Sequence, residues 1–470
     1  MQAREAFTSL NRMVDVALTP PEFVNDDPIV PTPFRAGAAA AAALGLTAAA
    51  AGDVWRLRGG EAQAMSVDIR AAAASLVSFS LLRRGGEAMR RPAESNPTVG
   101  LYRTMDGRWI HLHGGFPHLQ KRTLDLLNAS NTKEAIVQSV AHWNAAALED
   151  ALAYMNLCGA VVRTEEEWRA TSQGLTLCDV PPIRLTRIGD APPLRLPDAA
   201  QALSGIRVLD LTRVLAGPSA ARTLASHGAD VLSVRAQKLP TIELFDLDTG
   251  FGKRSTFLDL ARAGDAETLR NLARSAHVFV DSYRSGALDK LGFSPAALSQ
   301  LSPGIVYVSL SCYGARGAWA GRRGWEQLAQ CATGLAMDQG AFAAARAGHR
   351  RDTVPQLIPA AACDYTTGYL AAAGATAALL RRIHEGGSWL VEVSLCATAM
   401  WLQSLGKIAF ADVPDAWNPR QGLDGYFQSC DTDRGRLDYL GPVVRMDKTP
   451  PGWRNPPPEP GADSPRWLEG

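Results

Sequence analysis

GIRVLDLTRVLAGPSAARTLASHGAD, residues Gly205 to Asp230, packs an apolar strand, a small-residue turn and a helix into one short run. Ile206 to Leu211 has the branched apolar content of a buried strand, and Ala216-Gly217-Pro218 makes the turn. Ala220, Ala221, Leu224 and Ala225 then recur on one helical face until Gly228 stops the helix. Val231 to Val234 supplies a second strand at once. A strand, a helix and a parallel strand form one βαβ unit, so an α/β fold on a parallel sheet is expected. In such folds the ligand crevice lies beyond the carboxyl ends of the strands, which places the expected site at the turn around Gly217.

That turn lacks the GxGxxG pattern of a dinucleotide fold. Its residues are LAGPSAA, and the second strand is followed by Arg235, Ala236 and Gln237 instead of an acid, so NAD is not expected. The 470 residues suffice for two or more domains, and 46% hydrophobic content for a buried core. A formal net charge of +1 offers no electrostatic grip on nucleic acid or an anionic membrane. The seven cysteines are scattered with no CxxC pair, the pattern of reduced thiols in a cytoplasmic protein. Met1 to Val30 carries Arg4, Arg12, Asp15, Glu22, Asp26 and Asp27 and has no apolar signal-peptide core. Ala36 to Ala51 is short and weakly apolar for a bilayer span and reads as a closely packed core helix. His111 and His113 of IHLHGGFPH alternate onto one strand face, with His118 nearby, but no cysteine or acid of suitable spacing joins them, so no metal is expected.

The wording of the first unit is more specific than its pattern. VLDLTRVLAGPSAARTLASHGADV is followed by GKRSTFLDL from Gly252, VFVDSYRSGALDKLGF from Val278, IVYVSLSCYGARGAWAGRRGWEQLAQCATGL from Ile305 and AACDYTTGYLAAAGATAALLRR from Ala361. In this order the blocks resemble the class III CoA-transferases, the family of formyl-CoA and carnitine-CoA transferases and related acyl-CoA racemases. The resemblance implies a Rossmann-like large domain with a second, smaller α+β domain. It also implies coenzyme A in acyl-CoA form and a carboxylic acid as substrates, and a homodimer.

The order of parts departs from that family. Ala36 to Arg58 is an alanine-rich helix followed by Gly59-Gly60, the strand AMSVDI and a helix from Ala71. Gly368 to Glu385 is another, followed by Gly386-Gly387, the strand LVEVSL and a helix from Ala397. GLYRTMDGRWIHLHGG at Gly100 recurs as GYFQSCDTDRGRLDYLGP at Gly425, so an internal repeat is the economical reading. The expected organisation is a degenerate first copy of the large domain over 1–97, the small domain over 98–191 and a linker over 192–204. The Rossmann-like CoA-binding catalytic domain follows over 205–400, and a return segment with a proline-rich tail over 401–470.

Asp364 precedes a helix expected from Tyr365 to Arg382, where spacing alone reads it as an N-cap aspartate favoured by the helix dipole. The resemblance assigns it more, because CDYTTG matches the position of the family's catalytic aspartate. Asp364 lies twenty-two residues before Gly386, and the same step before Gly59 lands on Gly37, so one catalytic site per chain is expected. The implied chemistry passes through an aspartyl-acyl anhydride and an aspartyl-CoA thioester, with backbone N–H donors expected around Thr366, Thr367 and Gly368. The matching blocks place Val214, Leu215 and Ala216 along the pantetheine arm, Lys253, Arg254 and Arg284 at the nucleotide and phosphates, and Asp281, Ser282 and Tyr283 in the same crevice. The stretch at Arg235 departs from the family, so an altered CoA diphosphate site is expected. Trp325 in Gly324-Trp325-Glu326 stands where the racemases carry a proton-transferring histidine, which favours transfer over racemisation. The alternatives are a racemase or isomerase of the same fold and a CoA-binding protein without catalysis.

Overall fold

The computed structural model describes residues 2–89, 96–348 and 353–468. Residues 90–95, next to the expected start of the small domain, lie outside the described residues, as do 469 and 470 of the tail.

Arg207–Leu211 is the pivot of a seven-stranded sheet. It pairs in parallel with Asp230–Arg235 on one side and Val278–Asp281 on the other. Lys253–Phe257 lies beyond the first neighbour, and Val306–Ser311 and Ser388–Ser394 continue past the second, all parallel. Arg184–Gly189 closes that edge antiparallel to Ser388–Ser394. In chain order the six parallel strands lie 3-2-1-4-5-6, the doubly wound arrangement. Its topological switch point falls between Arg207–Leu211 and Val278–Asp281. Val208, Leu209, Val278, Phe279, Val306 and Tyr307 are buried in adjacent pairs, as a sheet covered on both faces requires.

Alanine lets the long helices come close. Ala36–Leu57 and Ala362–Glu385 pack against each other, and most of their residues are buried. Ala36–Leu57 is long and apolar enough to cross a membrane, yet 94% of its most apolar stretch is buried inside the structure. Ala362–Glu385 also crosses Ala216–Ser226 at backbone contact: a Cβ on Gly368 would fall 2.5 Å from the Ala216 carbonyl oxygen.

Val99–Arg103, Trp109–His113 and Gly159–Val161 form a separate antiparallel sheet. The hairpin Phe427–Cys430 and Leu437–Leu440 joins Arg83–Arg84, and Val444–Met446 joins Met65–Asp68, so the C-terminal segment is hydrogen-bonded to the N-terminal one.

Two local expectations shift. Ala216-Gly217-Pro218 is not a turn but the first turn of the helix Ala216–Ser226; the chain reverses earlier, at Val214, with φ 72°. A β-branched residue in the left-handed region is strained, and such strain gathers at sites where the backbone is over-determined. The second shift is that the Asp364 helix starts at Ala362, so Asp364 is its third residue and not its cap. At the start of the other alanine-rich helix, Asp27 Oδ2 accepts the Ala38 N–H at 2.7 Å. A Cβ on Gly37 would lie 2.7 Å from Asp27 Oδ1, so that position has no room for a second carboxylate.

Candidate functional site

Asp364 lies on the wall of a cavity of about 850 Å³ at the switch point. Its walls include Val77 and Phe79 ahead of Arg83–Arg84, His113 and Phe116 at the end of Trp109–His113, Val214 and Leu215 at the end of the pivot strand, Trp325 and Glu326 at the start of Glu326–Thr333, and Leu357 and Ile358 before Ala362–Glu385.

Glu326 takes the capping role that spacing alone gave to Asp364. Its Oε1 accepts from Gln330 Nε2 at 2.7 Å and from the Cys363 N–H at 3.1 Å, while Oε2 accepts the Asp364 N–H at 2.6 Å. A carboxylate here satisfies the orphan amides of the first helical turn and lies on the positive end of the helix dipole. The Asp364 carboxyl therefore has no hydrogen-bond donor among the described residues and is left to the cavity. Burial first, and Glu326 second, raise Asp364 well above the usual carboxylate range. Burial also pushes Glu326 up to about 7 against the pull of its three hydrogen bonds. Two buried carboxyls this close share a proton instead of ionising together.

His113 lies flat on Trp325, with ring centroids 4.1 Å apart and planes at 17°. Burial pushes it down to about 3 and His111 to about 4, so both rings are neutral at pH 7. The two imidazoles are stacked 6.1 Å apart, and neither Nδ1 has a partner.

The mouth of the cavity is cationic. A smaller hollow of about 130 Å³ shares Phe116, Val214 and Phe245 with the main cavity and adds Arg213 and Arg235. Arg235 is paired with Asp246 at 2.8 Å, and Arg213 lies over the Phe116 ring at 5.1 Å. Arg213, Arg122 and Arg323 all act on His118, and Arg284 acts on Arg323, whose Nε is buried without a partner. Burial, with the neighbouring guanidinium groups opposing each charge, lowers Arg213 and Arg323. Such a belt of crowded cations is relieved by an anion.

Of the residues read from the sequence, Asp364, Val214 and Leu215 line the cavity, with Ala216 just behind in the first helical turn. Arg284 joins the cationic belt and donates to Asn156 Oδ1 at 2.7 Å. Tyr283 is half-buried and faces Arg213, and Ser282 is half-buried beside it. Asp281 is turned inward, accepting from the Tyr283 N–H at 2.7 Å and the Tyr307 hydroxyl at 2.9 Å, and burial raises it to about 6. Lys253 is not brought to the mouth: its ammonium is buried between Asp210 Oδ2 and the Pro218 carbonyl, each at 2.8 Å, and pins the strand end to the helix. Arg254 is held away from it, by Asp230 at 2.9 Å and the Arg466 carbonyl at 2.7 Å. Thr366, Thr367 and Gly368 are the fifth to seventh residues of their helix, so their amides are spent in its hydrogen-bond ladder and do not face the cavity.

A family model described as CoA-transferase family III matches residues 203–422. Residues 203–422 of the chain belong to CoA-transferase family III. An acyl-CoA transferase of Gibberella moniliformis is 28% identical over 93% of this chain and 88% of its own length. The acetyl-coenzyme A transferase nodX of Hypoxylon pulicicidum is 31% identical over 65% of this chain and 54% of its own, so the chain spans about half the length of that relative. Among solved structures, Rv3272 from Mycobacterium tuberculosis is 29% identical over 44% of this chain and 58% of its own, with a TM-score of 0.40. The family III match takes in the switch point, the cationic Arg213, Arg235, Arg284 and Arg323, and Asp364. The cavity walls at Val77, Phe79, His113 and Phe116 lie outside it.

Proposed function

We propose that this protein is a CoA-transferase that moves CoA between an acyl-CoA thioester and a free carboxylic acid, with Asp364 as nucleophile. The observation that carries the reading is the Asp364 carboxyl itself, buried, without a donor, and facing a cavity at the switch point of the family III segment. Its oxygen bonds to the thioester carbonyl carbon, the C–S bond breaks, and CoA leaves as thiolate from a mixed anhydride. The thiolate then attacks the aspartyl carbonyl carbon, and the first acid leaves as carboxylate. An acceptor carboxylate attacks the aspartyl-CoA thioester and again expels thiolate, which attacks the acceptor's carbonyl carbon in the second anhydride. The new acyl-CoA forms and Asp364 departs as carboxylate. No proton is gained or lost overall, but Asp364 must be ionised to begin.

That requirement sets the pH dependence. Because Asp364 and Glu326 are both raised, kcat/KM is expected to climb with pH through neutrality until the pair has lost its shared proton. Glu326→Gln keeps an acceptor for the Asp364 N–H and removes the like charge, so the acid limb moves to lower pH by on the order of one unit. Stability runs the opposite way with pH. The unfolded chain releases these protons at ordinary carboxylate pH while the folded chain still holds them, so stability falls as pH rises from about 4 toward the folded values, and the Gln variant loses less. A pH–rate profile of both proteins in which the limbs coincide would sink this role for Glu326.

The cationic mouth is proposed for the CoA phosphates, held by Arg213, Arg284 and Arg323, none of which pairs with a carboxylate among the described residues. Arg213→Ala is expected to weaken CoA binding by about tenfold or more, the worth of one charged hydrogen bond. Titration calorimetry with CoA checks it, and unchanged affinity would move the phosphates elsewhere. The free state of all seven cysteines supports a reducing, cytoplasmic compartment. We propose that the chain assembles as a homodimer.

Covalent transfer is tested by incubating the protein with acyl-CoA donors and hydroxylamine, followed by intact-mass and peptide analysis. A hydroxamate on Asp364 supports the reading. Its absence with every donor, alongside CoA binding, favours the CoA-binding protein without catalysis.

A further inference from the structure

Charge in the cavity is segregated. Arg213 and Arg235 stand outside, at the mouth. Inside, among the described residues, no Lys or Arg lines the wall. Glu243 at the rim is taken up by Arg84 at 2.6 Å. The remaining ionisable groups are Asp364 and Glu326, which already repel each other, and His113, which burial keeps neutral. Val77, Phe79, Val99, Leu357, Ile358 and Trp325 give the cavity that holds Asp364 a largely apolar wall. Its uncharged hydrogen-bonding groups include His113 and Gln327, whose Nδ1 and Oε1 are buried and unpartnered.

We infer that the acyl group delivered to Asp364 is bulky, apolar and uncharged, the acid part of a medium-chain aliphatic or aromatic monocarboxylate, and not a short dicarboxylate. This rests on the transferase reading, which makes Asp364 the point to which the acyl carbon is brought. A second carboxylate on the acyl group would leave water, face Asp364 and Glu326, and find no cation among the described wall residues. An alkyl or aryl body instead covers apolar wall and gains by removal from water. Val77, Phe79 and Val99 lie before the family III match, so this wall belongs to the part of the chain whose order sets it apart.

The test uses non-reactive thioethers, which bind without chemistry: S-octyl-CoA against S-(3-carboxypropyl)-CoA, measured by titration calorimetry on the whole protein. The octyl thioether is expected to bind at least about tenfold more tightly, given the apolar area it buries. Equal affinity, or preference for the carboxypropyl thioether, overturns the inference. Val99→Lys places a cation at a half-buried wall position and is expected to narrow the ratio by about tenfold. If that variant does not fold, the wild-type ratio decides alone. Failure of the transferase reading is separable: octyl preference with no Asp364 hydroxamate from octanoyl-CoA removes the chemistry and leaves the pocket's selectivity standing. Binding of neither thioether removes both.

Discussion

Asp364→Asn is expected to lose at least about three orders of magnitude in kcat while its affinity for CoA changes by no more than about twofold. Asparagine matches aspartate in shape, and the residue's backbone N–H keeps its 2.6 Å bond to Glu326, so the first turn of Ala362–Glu385 stays capped. What disappears is the ionisable oxygen that forms the anhydride, and nothing described nearby replaces it. Glu326 is the next carboxyl, but both of its oxygens are occupied by Gln330, Cys363 and Asp364 amides. Cys363 and Cys312 are buried thiols raised far above neutrality, first by burial, so neither presents a thiolate. Consumption of acyl-CoA, read beside the melting temperature, decides the matter. A folded variant retaining a tenth of wild-type turnover would place the nucleophile elsewhere.

The parallel sheet was legible in Gly205–Asp230 because strand and helix periodicities change within a few residues, and the crevice followed from the order of strands and not from any one side chain. The residues beside that crevice were placed by the resemblance of their blocks and not by periodicity: Val214 and Leu215 line it, and Arg284 lies in the cationic belt. Lys253 misled because GKRS is a strand whose alternate residues face opposite sides; its ammonium goes inward to Asp210, which the linear sequence places far away. Glu326 was hidden for the opposite reason. Its one local signal is Gln330 four residues later on the same helix face, whereas its two decisive partners belong to the start of another helix. His113 read as one of two histidines sharing a strand face, with no metal expected, and only tertiary packing shows its ring lying against Trp325.

The second large effect concerns the floor beneath the nucleophile. Arg222 is buried and pairs with Asp248 at 3.0 Å, while also donating to the Asp248 carbonyl at 2.7 Å. The other oxygen of Asp248 accepts the Tyr365 hydroxyl at 2.7 Å and the Ser78 hydroxyl at 3.0 Å. One ion pair thus joins the N-terminal segment, the helix after the pivot strand and the residue next to Asp364. Its own net worth is small, since removing two charges from water offsets most of their attraction. Breaking it is another matter: Arg222→Met leaves the Asp248 carboxylate buried without its cation, at an expected cost of about 3–5 kcal/mol in unfolding free energy. Adding Asp248→Asn to that variant removes the stranded charge while preserving an acceptor for Tyr365 and Ser78, so more than half of the loss is expected to return. Chemical denaturation of the two single variants and the double variant measures this directly. Additive losses in the double variant would mean that Arg222 acts through its packing against Trp453 and Tyr365, with ring centroids 5.4 and 5.9 Å away, and not through the charge of Asp248.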